Sequence, residues 1–481
     1  MKFTKMSLVA ALLVGSSAFA LDNVKVSGDA KLYYETVGST KKVGVNAGGG
    51  ATLKDTTDIG DRRGSNGQAA LALSVTADLA KSVSAGVTLN ATNTLGLENS
   101  LVGGTWAGPL ANAKTTRDGA SYQNATANQW WIGEAWLAAT AGKTTAKVGR
   151  QYLDTPLAFT ETWNIAKNSF AAAVLINQDI PDTTLVGAFV GESNGAANQT
   201  VANAGNGDSP FTGYVTYNNS LDALANIGVA GAANSTGGAG AYAAGIVNNS
   251  FKPLTAQAWY YNVTNVAKAY WLQADVKVEG LMFGAQYANM APEDKVRFST
   301  TGATADISAL QLHDSSALAL MAGVELKDIA TLKVAYSKTD DKGALNIQNT
   351  ATGSQSKLYT EAWWNYGYVG MPGTTAYMLS AEGELKDMFG WFAQYTSMNV
   401  QPNDKMATGI TTFNFASDKI SEITVGVTKS FGPLDTSLAY VNTNVNKADV
   451  TNGKNSWVTA VSNDSGDYSD NRIQAYLTLN F

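Results

Sequence analysis

The sequence predicts an all-β protein, a transmembrane antiparallel β-barrel with short turns at one end and long loops at the other. Three observations predict it: an amphipathic strand at the C-terminal end, short segments of alternating polarity along the whole chain, and no apolar run long enough for a membrane helix.

The C-terminal segment Asn471 to Phe481 reads NRIQAYLTLNF. Ile473, Ala475, Leu477, Leu479 and Phe481 share one parity, and Arg472, Gln474, Tyr476, Thr478 and Asn480 share the other, so the segment is a strand with an oily face and a wet face. A barrel needs such a strand to pair with the first one and leave no open edge. Outer-membrane assembly machinery is the expected reader of this strand and its terminal aromatic ring. At the other end, Lys2 and Lys5 precede the apolar run Met6 to Val14 and then Ala18, Phe19 and Ala20, the form of a cleaved secretion signal. The expected signal is residues 1–20 and the barrel domain residues 21–481. Cleavage removes two lysines and no acid, leaving 31 basic against 39 acidic residues and moving the net charge from −6 to −8.

Composition narrows the chemistry. There is no cysteine, which excludes thiolate catalysis, thiolate metal sites and disulfides. The single histidine, His313, sits in a polar stretch with Asp314 and reads as a solvated loop residue. An enzyme within the barrel would have to build its base from that one ring, and no glycine-turned serine nucleophile accompanies it. No nucleic-acid patch and no cofactor motif is present.

In chain order, Val24, Val26, Gly28, Ala30, Leu32 and Tyr34 alternate with polar residues, so the mature chain opens on a strand with no room for a plug domain. Leu71 to Leu79 and Val83 to Ala91 form a hairpin across a three-residue turn, Ala80 to Ser82, that keeps both oily sets on one face. Trp131, Gly133, Ala135, Leu137 and Ala139 meet Thr144, Ala146 and Val148 across the turn Ala141–Gly142, and the parity change there fits a two-residue turn. Leu272 to Val278 and Leu281 to Tyr287 do the same across Glu279–Gly280. Further hairpins centre on Asp179 to Asp182, Asn249 to Pro253, Lys327 to Ile329, Lys386 to Met388 and Ser430 to Pro433. Long polar loops lie between them, so short turns are expected to alternate strictly with long loops, the periplasmic and extracellular ends of an outer-membrane barrel. The count is twenty strands if Phe211 to Ala233 is a barrel hairpin and eighteen if it folds within a loop. Either barrel is too wide to fill itself with side chains and leaves an aqueous lumen.

Three stretches carry a family resemblance: GRQYLDTPLAFTETWNIAKNSFAAAVLINQDIPDTTLVGAFVGESNG (Gly149 to Gly195), NNSFKPLTAQAWYYNVTNVAKAYWLQADVKVEG (Asn248 to Gly280), and the C-terminal strand. The chain resembles the major outer-membrane porins of the Campylobacter type and, more distantly, the Opr-type channels. The resemblance implies eighteen strands, a homotrimer, and a constriction loop folded inward after the fifth strand. It also implies a passive diffusion channel in the bacterial outer membrane for ions and small hydrophilic solutes. A surface adhesin, suggested by loops rich in Thr, Asn and Gly, and a substrate-specific channel are the alternatives.

The expected filter is the loop near residues 152–169, which carries Asp154, Glu161 and Lys167. It faces Lys147 and Glu134 on the wall, and the Ala141–Gly142 turn sets Trp136 opposite Lys147 and Glu134 opposite Gly149. Arg150 points outward opposite Gly133, where it can meet lipopolysaccharide phosphate. Acids on the loop and the net charge of −8 predict a weak preference for cations. If this loop is not the filter, the loop holding Glu361 and Trp363 is the next choice. Asp464, Asp467 and Asp470 could supply oxygen ligands to calcium but lack the glycine-turned loop of a dedicated site. Trp363, Trp364, Tyr366 and Tyr368 read as aromatic packing that fixes a loop or as a sugar-stacking platform. Asn90, Asn124 and Asn198 begin formal glycosylation sequons without consequence in bacterial export.

Overall fold

A computed structural model describes residues 22–40, 58–61, 65–93, 113–115, 121–123, 128–163, 165–193, 215–216, 240–264, 267–297, 304–306, 312–343, 345–351, 355–386, 388–401, 415–416, 418–446, 455–456 and 467–481. Eighteen long strands form one antiparallel sheet closed on itself. They are β1 (Asp22–Ser39), β2 (Ser65–Ala80), β3 (Val83–Asn93), β4 (Asn128–Ala141), β5 (Thr144–Gln151) and β6 (Phe170–Asn177). There follow β7 (Thr183–Ser193), β8 (Ala241–Asn248), β9 (Leu254–Val263), β10 (Ala267–Val278), β11 (Leu281–Pro292) and β12 (Ser315–Leu326). The ring is completed by β13 (Ala330–Thr339), β14 (Thr374–Leu385), β15 (Phe389–Val400), β16 (Asp418–Phe431), β17 (Leu434–Asn446) and β18 (Tyr468–Asn480). No helix among the described residues is long and apolar enough to cross a membrane; the strands do so instead.

Closure is made by β1 and β18, from Asp29 opposite Asn480 to Ser39 opposite Asp470. Gly28 and Phe481 add a reciprocal backbone pair at 2.8 and 3.0 Å. The pairing thus begins a few residues later in β1 than its apolar pattern suggests, and the first residues of β1 bond only to β2. The choice between eighteen and twenty strands falls to eighteen, because β7 pairs directly with β8 along all of β8. Of the stretch between them, only Val215–Thr216 and Gly240 are described, and the two-residue piece pairs with the end of β7.

Parity sorts the wall. Leu32, Leu71, Val87, Leu137, Val148, Leu272, Leu320, Val334, Leu379, Val425 and Leu477 face out and are exposed, the band a hydrocarbon core requires. Tyr242, Tyr270, Tyr287, Tyr377, Tyr395 and Tyr440 face out nearer the loop end and form part of an aromatic girdle. Polar groups alternate inward: Gln68, Thr88, Asn90, Gln286, Thr424, Arg472 and Gln474 are buried inside.

Four details of the pattern needed correction. The β2–β3 turn is Lys81–Ser82 with a bulge at Leu79, shown by Asp78 opposite Ser84 but Ala80 opposite Val83; the bulge does the parity work assigned to a third turn residue. The β4–β5 turn is Gly142–Lys143, so Ala138 faces Lys147 and Trp136 faces Gly149. Gly142 there has φ +60°, a conformation glycine adopts without cost. A second bulge lies at Gly133, between Thr88 opposite Glu134 and Leu89 opposite Ile132. It reverses parity and turns Trp131 into the barrel, fully buried, while Trp130 faces out. Finally, short turns do not alternate strictly with long loops, since β9 and β10 are joined at the loop end across 264–266.

Candidate functional site

Two loops fold into the lumen and cross it. The first, 152–169, begins as a small hairpin in which Thr160 N donates to Leu153 O at 2.8 Å and Thr155 N to Ala158 O at 3.2 Å. Pro156 at its tip favours the turn. The tip enters the barrel: Leu157 is 1% exposed, and its N–H reaches the Tyr261 hydroxyl of β9 at 3.4 Å. Ile165 and Ala166 lie against the β1–β4 wall, where Ala166 packs on Trp131. Tyr476 of β18 closes the span by donating to Trp163 O at 3.1 Å.

The second loop runs from Asp340 to Gly373, between β13 and β14. Asn349 uses its side-chain amide as a strand would, with Nδ2 donating to Phe159 O at 2.7 Å and Oδ1 accepting from Phe159 N at 3.4 Å. Thr350 donates to Leu157 O from both its N–H and its hydroxyl, at 2.8 and 2.7 Å. Leu345, Ile347 and Leu358 are buried in the same apolar cluster as Leu157, Trp259, Tyr261 and Trp271. The remainder spans from one wall to the other. Tyr359 N donates to Gln286 and its hydroxyl to Asp275; further on, Trp364 N and Asn365 N donate to Glu422 at 3.0 and 2.8 Å, and Trp363 Nε1 to Gln474 at 3.0 Å. Gly284 leaves room beneath this loop: a Cβ there would lie 2.4 Å from the Tyr359 hydroxyl, and that ring would have to shift.

Carboxylates fix the junction. Glu161 is 1% exposed and accepts from Trp163 Nε1 at 2.6 Å, Asn349 Nδ2 at 2.9 Å and Gln355 N at 3.2 Å. Glu361 accepts from Ser356, and burial, together with the nearby Glu161 and Glu422 carboxylates, pushes its carboxyl well above the ordinary range. Arg472 pairs with Glu35 and lies 3.7 Å over the Trp364 ring, a desolvated cation held by a charge and a π-face.

The expected filter residues separate into two groups. Asp154 is largely exposed and pairs with Lys357 of the second loop, which also covers the Phe159 ring at 4.9 Å. Glu134 and Lys147 approach to 3.9 Å on the wall, Lys147 rests 4.2 Å over Trp136, and Lys167 lies 5.4 Å from the Tyr152 ring. Glu161, by contrast, is a strut enclosed between the loops. Arg150 stands opposite Ala135, not Gly133, and donates to Ile132 O at 3.0 Å.

Asp464, Asn124 and Asn198 lie outside the described residues, and no group of three or more metal-ligating side chains occurs among the described ones. Asp470 is bonded to Ser39, and Asn90 is buried inside the barrel. His313 is exposed and forms an isolated bridge with Gly343. The aromatic run packs, with Trp363 stacked on Phe392 at 4.8 Å and Tyr366 against Trp163 at 5.6 Å. The second loop's ties were not foreseen: Asn349, Thr350, Lys357 and Tyr359 have no local signal beyond an unusually long loop poor in charge.

Below the loops, towards the short turns, lies a cavity of about 1440 Å³. Glu325, Asp328, Glu361, Glu382 and Glu384 line it with Lys333 and Lys386, and Tyr359, Trp363 and Phe392 supply apolar faces.

No family model matches the sequence, and no curated protein matches it. Solved structures do. OccAB1 of Acinetobacter baumannii aligns with a TM-score of 0.59 at 13% identity, over 95% of this chain and 97% of that one. OccK1 (OpdK) of Pseudomonas aeruginosa gives 0.57 at 10% identity, over 94% and 99%. OccK8 (OprE) of Pseudomonas aeruginosa gives 0.57 at 12% identity, over 95% and 98%. The shared fold is the eighteen-stranded outer-membrane channel barrel, on the side of the more distant of the two resemblances in the sequence.

Proposed function

We propose that the protein is an outer-membrane channel for passive diffusion of ions and small hydrophilic solutes, weakly selective for cations. One observation supports this above the others: a closed barrel with an apolar exterior and a polar interior is crossed by two interlocked loops that narrow the lumen. Size limits follow from the remaining width, and ion preference from fixed charge at the narrow zone and its vestibule. Around the loops the charges are mixed, Asp29, Glu134 and Asp154 with Lys31, Lys147, Lys167 and Lys357. The cation preference therefore rests on the cavity below, where Glu325, Asp328, Glu382 and Glu384 outnumber Lys333 and Lys386, Glu361 being the acid that burial disposes to stay protonated. Residues 1–20 act as the export signal, the C-terminal strand engages the assembly machinery, and the working form is a homotrimer of the Campylobacter-type porin kind with lipopolysaccharide around it.

A substrate-specific channel is the second reading. The double loop supports it, because two interlocked segments leave a more structured path than one, and OpdK of Pseudomonas aeruginosa has been crystallised with vanillate. Reconstitution in a planar bilayer tests both. Stepwise ohmic conductance is expected, and no conductance from folded protein would favour the adhesin. Partial block of that conductance by one solute class would select the specific channel.

A further inference from the structure

Between the first loop and the β1–β3 wall lies a separate cavity of about 70 Å³, lined among others by Asp29, Lys31, Thr88, Asn90, Tyr152 and Lys167. That volume exceeds what one water needs. Asn90 is 5% exposed, yet its Nδ2 has no hydrogen-bond partner. A buried amide donor left unmade is costly, so it marks a place where an acceptor belongs. The bulge glycine fixes where that amide can lie: a Cβ at Gly133 would stand 2.2 Å from Asn90 Nδ2 and 3.5 Å from the Tyr152 hydroxyl.

The charge balance favours an anion. Lys31 and Lys167 line the cavity against the single carboxylate of Asp29, which Lys31 already holds at 3.2 Å. Glu134, the acid next to Thr88, accepts from that hydroxyl at 3.0 Å and is shared with Lys147. Ammonium and amide nitrogens only donate, so the matching ligand is rich in acceptors and negatively charged.

We propose that this cavity binds a small inorganic oxyanion of the sulfate or phosphate type, held by the Lys31 and Lys167 ammonium groups and the Asn90 amide. The site is off the acidic vestibule and does not depend on conduction, so it is tested by binding. Sulfate is titrated calorimetrically into folded, detergent-solubilised protein in a chloride buffer. Saturable binding is expected, weakened roughly tenfold or more in Lys167→Gln, which loses a charged donor, and in Gly133→Ala, whose added methyl displaces the Asn90 amide. Absence of saturable binding in the wild type, or wild-type affinity in either folded variant, overturns the site. Folding is checked by heat-modifiable migration, and because the two substitutions act on different elements, a defect in one leaves the other decisive.

Discussion

Glu161 and Asp154 belong to the same loop and have different tasks. Glu161 accepts three N–H groups while 1% exposed, so its charge is spent within the junction. Glu161→Gln sets an amide donor against one of those donors, and the loop contact should weaken by about 1–3 kcal/mol. The expected outcome is a noisier open channel and faster proteolysis of the loop in folded protein, with little change in ion preference. Asp154 is open to water beside Lys357. Asp154→Asn should leave the loops intact and, by unmasking that lysine, shift permeability towards anions at low salt; an unchanged reversal potential would place the permeant path elsewhere. Glu361 gives a pH dependence of defined sign. Its carboxyl is raised by burial, so the folded junction favours the protonated form, and its contribution is fully present below the ordinary carboxyl value of 4.5 and lost as pH rises through the higher folded value. Protease resistance of the second loop should therefore fall with rising pH in the wild type, and Glu361→Gln should flatten that profile.

Among the elements, strands were legible and loops were not, for a reason of range. A strand states its two faces every second residue, so β10 and β11 could be read in full, down to the turn at Glu279–Gly280. A bulge adds one residue without changing composition, which is why Trp131 was set on the oily face although Gly133 turns it inward. The inward-folded position of 152–169 came from a family resemblance and the residue types on it, but its partner could not be inferred. Asn349 lies 190 residues from Phe159, and no local pattern reports an amide that completes another loop's backbone bonds. Asn349→Ala should therefore do more damage than the same change at half-buried Asn346, since it frees Phe159 N and O and one contact of Glu161 together. Larger conductance fluctuations in a barrel of unchanged heat stability are expected; a quiet channel would mean that the apolar cluster around Leu157 and Ile347 suffices. The closing pair is a further test at this scale. Removing Phe481 deletes both backbone bonds to Gly28 and its ring contact there, and should lower the yield of folded, heat-modifiable protein while leaving the conductance of assembled molecules unchanged.

For the whole molecule, net charge is a poor guide to ion preference, because charge far from the path is screened. The useful quantity is charge within a Debye length of the narrow zone, about 8 Å at physiological salt. At the loops, acids and lysines pair closely enough to cancel over that distance: Asp154 with Lys357, Glu134 with Lys147, Asp29 with Lys31. In the cavity below them pairing is incomplete. Lys333 holds Glu382 at 3.3 Å and Lys277 holds Glu325, whereas Glu384 shares the same wall with no ion pair among the described residues. The barrel thus has a nearly neutral throat and an acidic vestibule, an arrangement that, on the proposed channel reading, would concentrate cations at one mouth without excluding anions. Such an arrangement should also make conductance asymmetric in a salt gradient, since dilute salt on the vestibule side leaves its field unscreened while dilute salt on the loop side does not. Replacing Glu382 and Glu384 together by Gln should abolish most of the cation preference measured at about 0.01 M salt, where the Debye length is about 30 Å, and change little at about 1 M, where it is about 3 Å. A preference that survives the double substitution at low salt would move the selective charge to the throat and make Asp154 its first candidate.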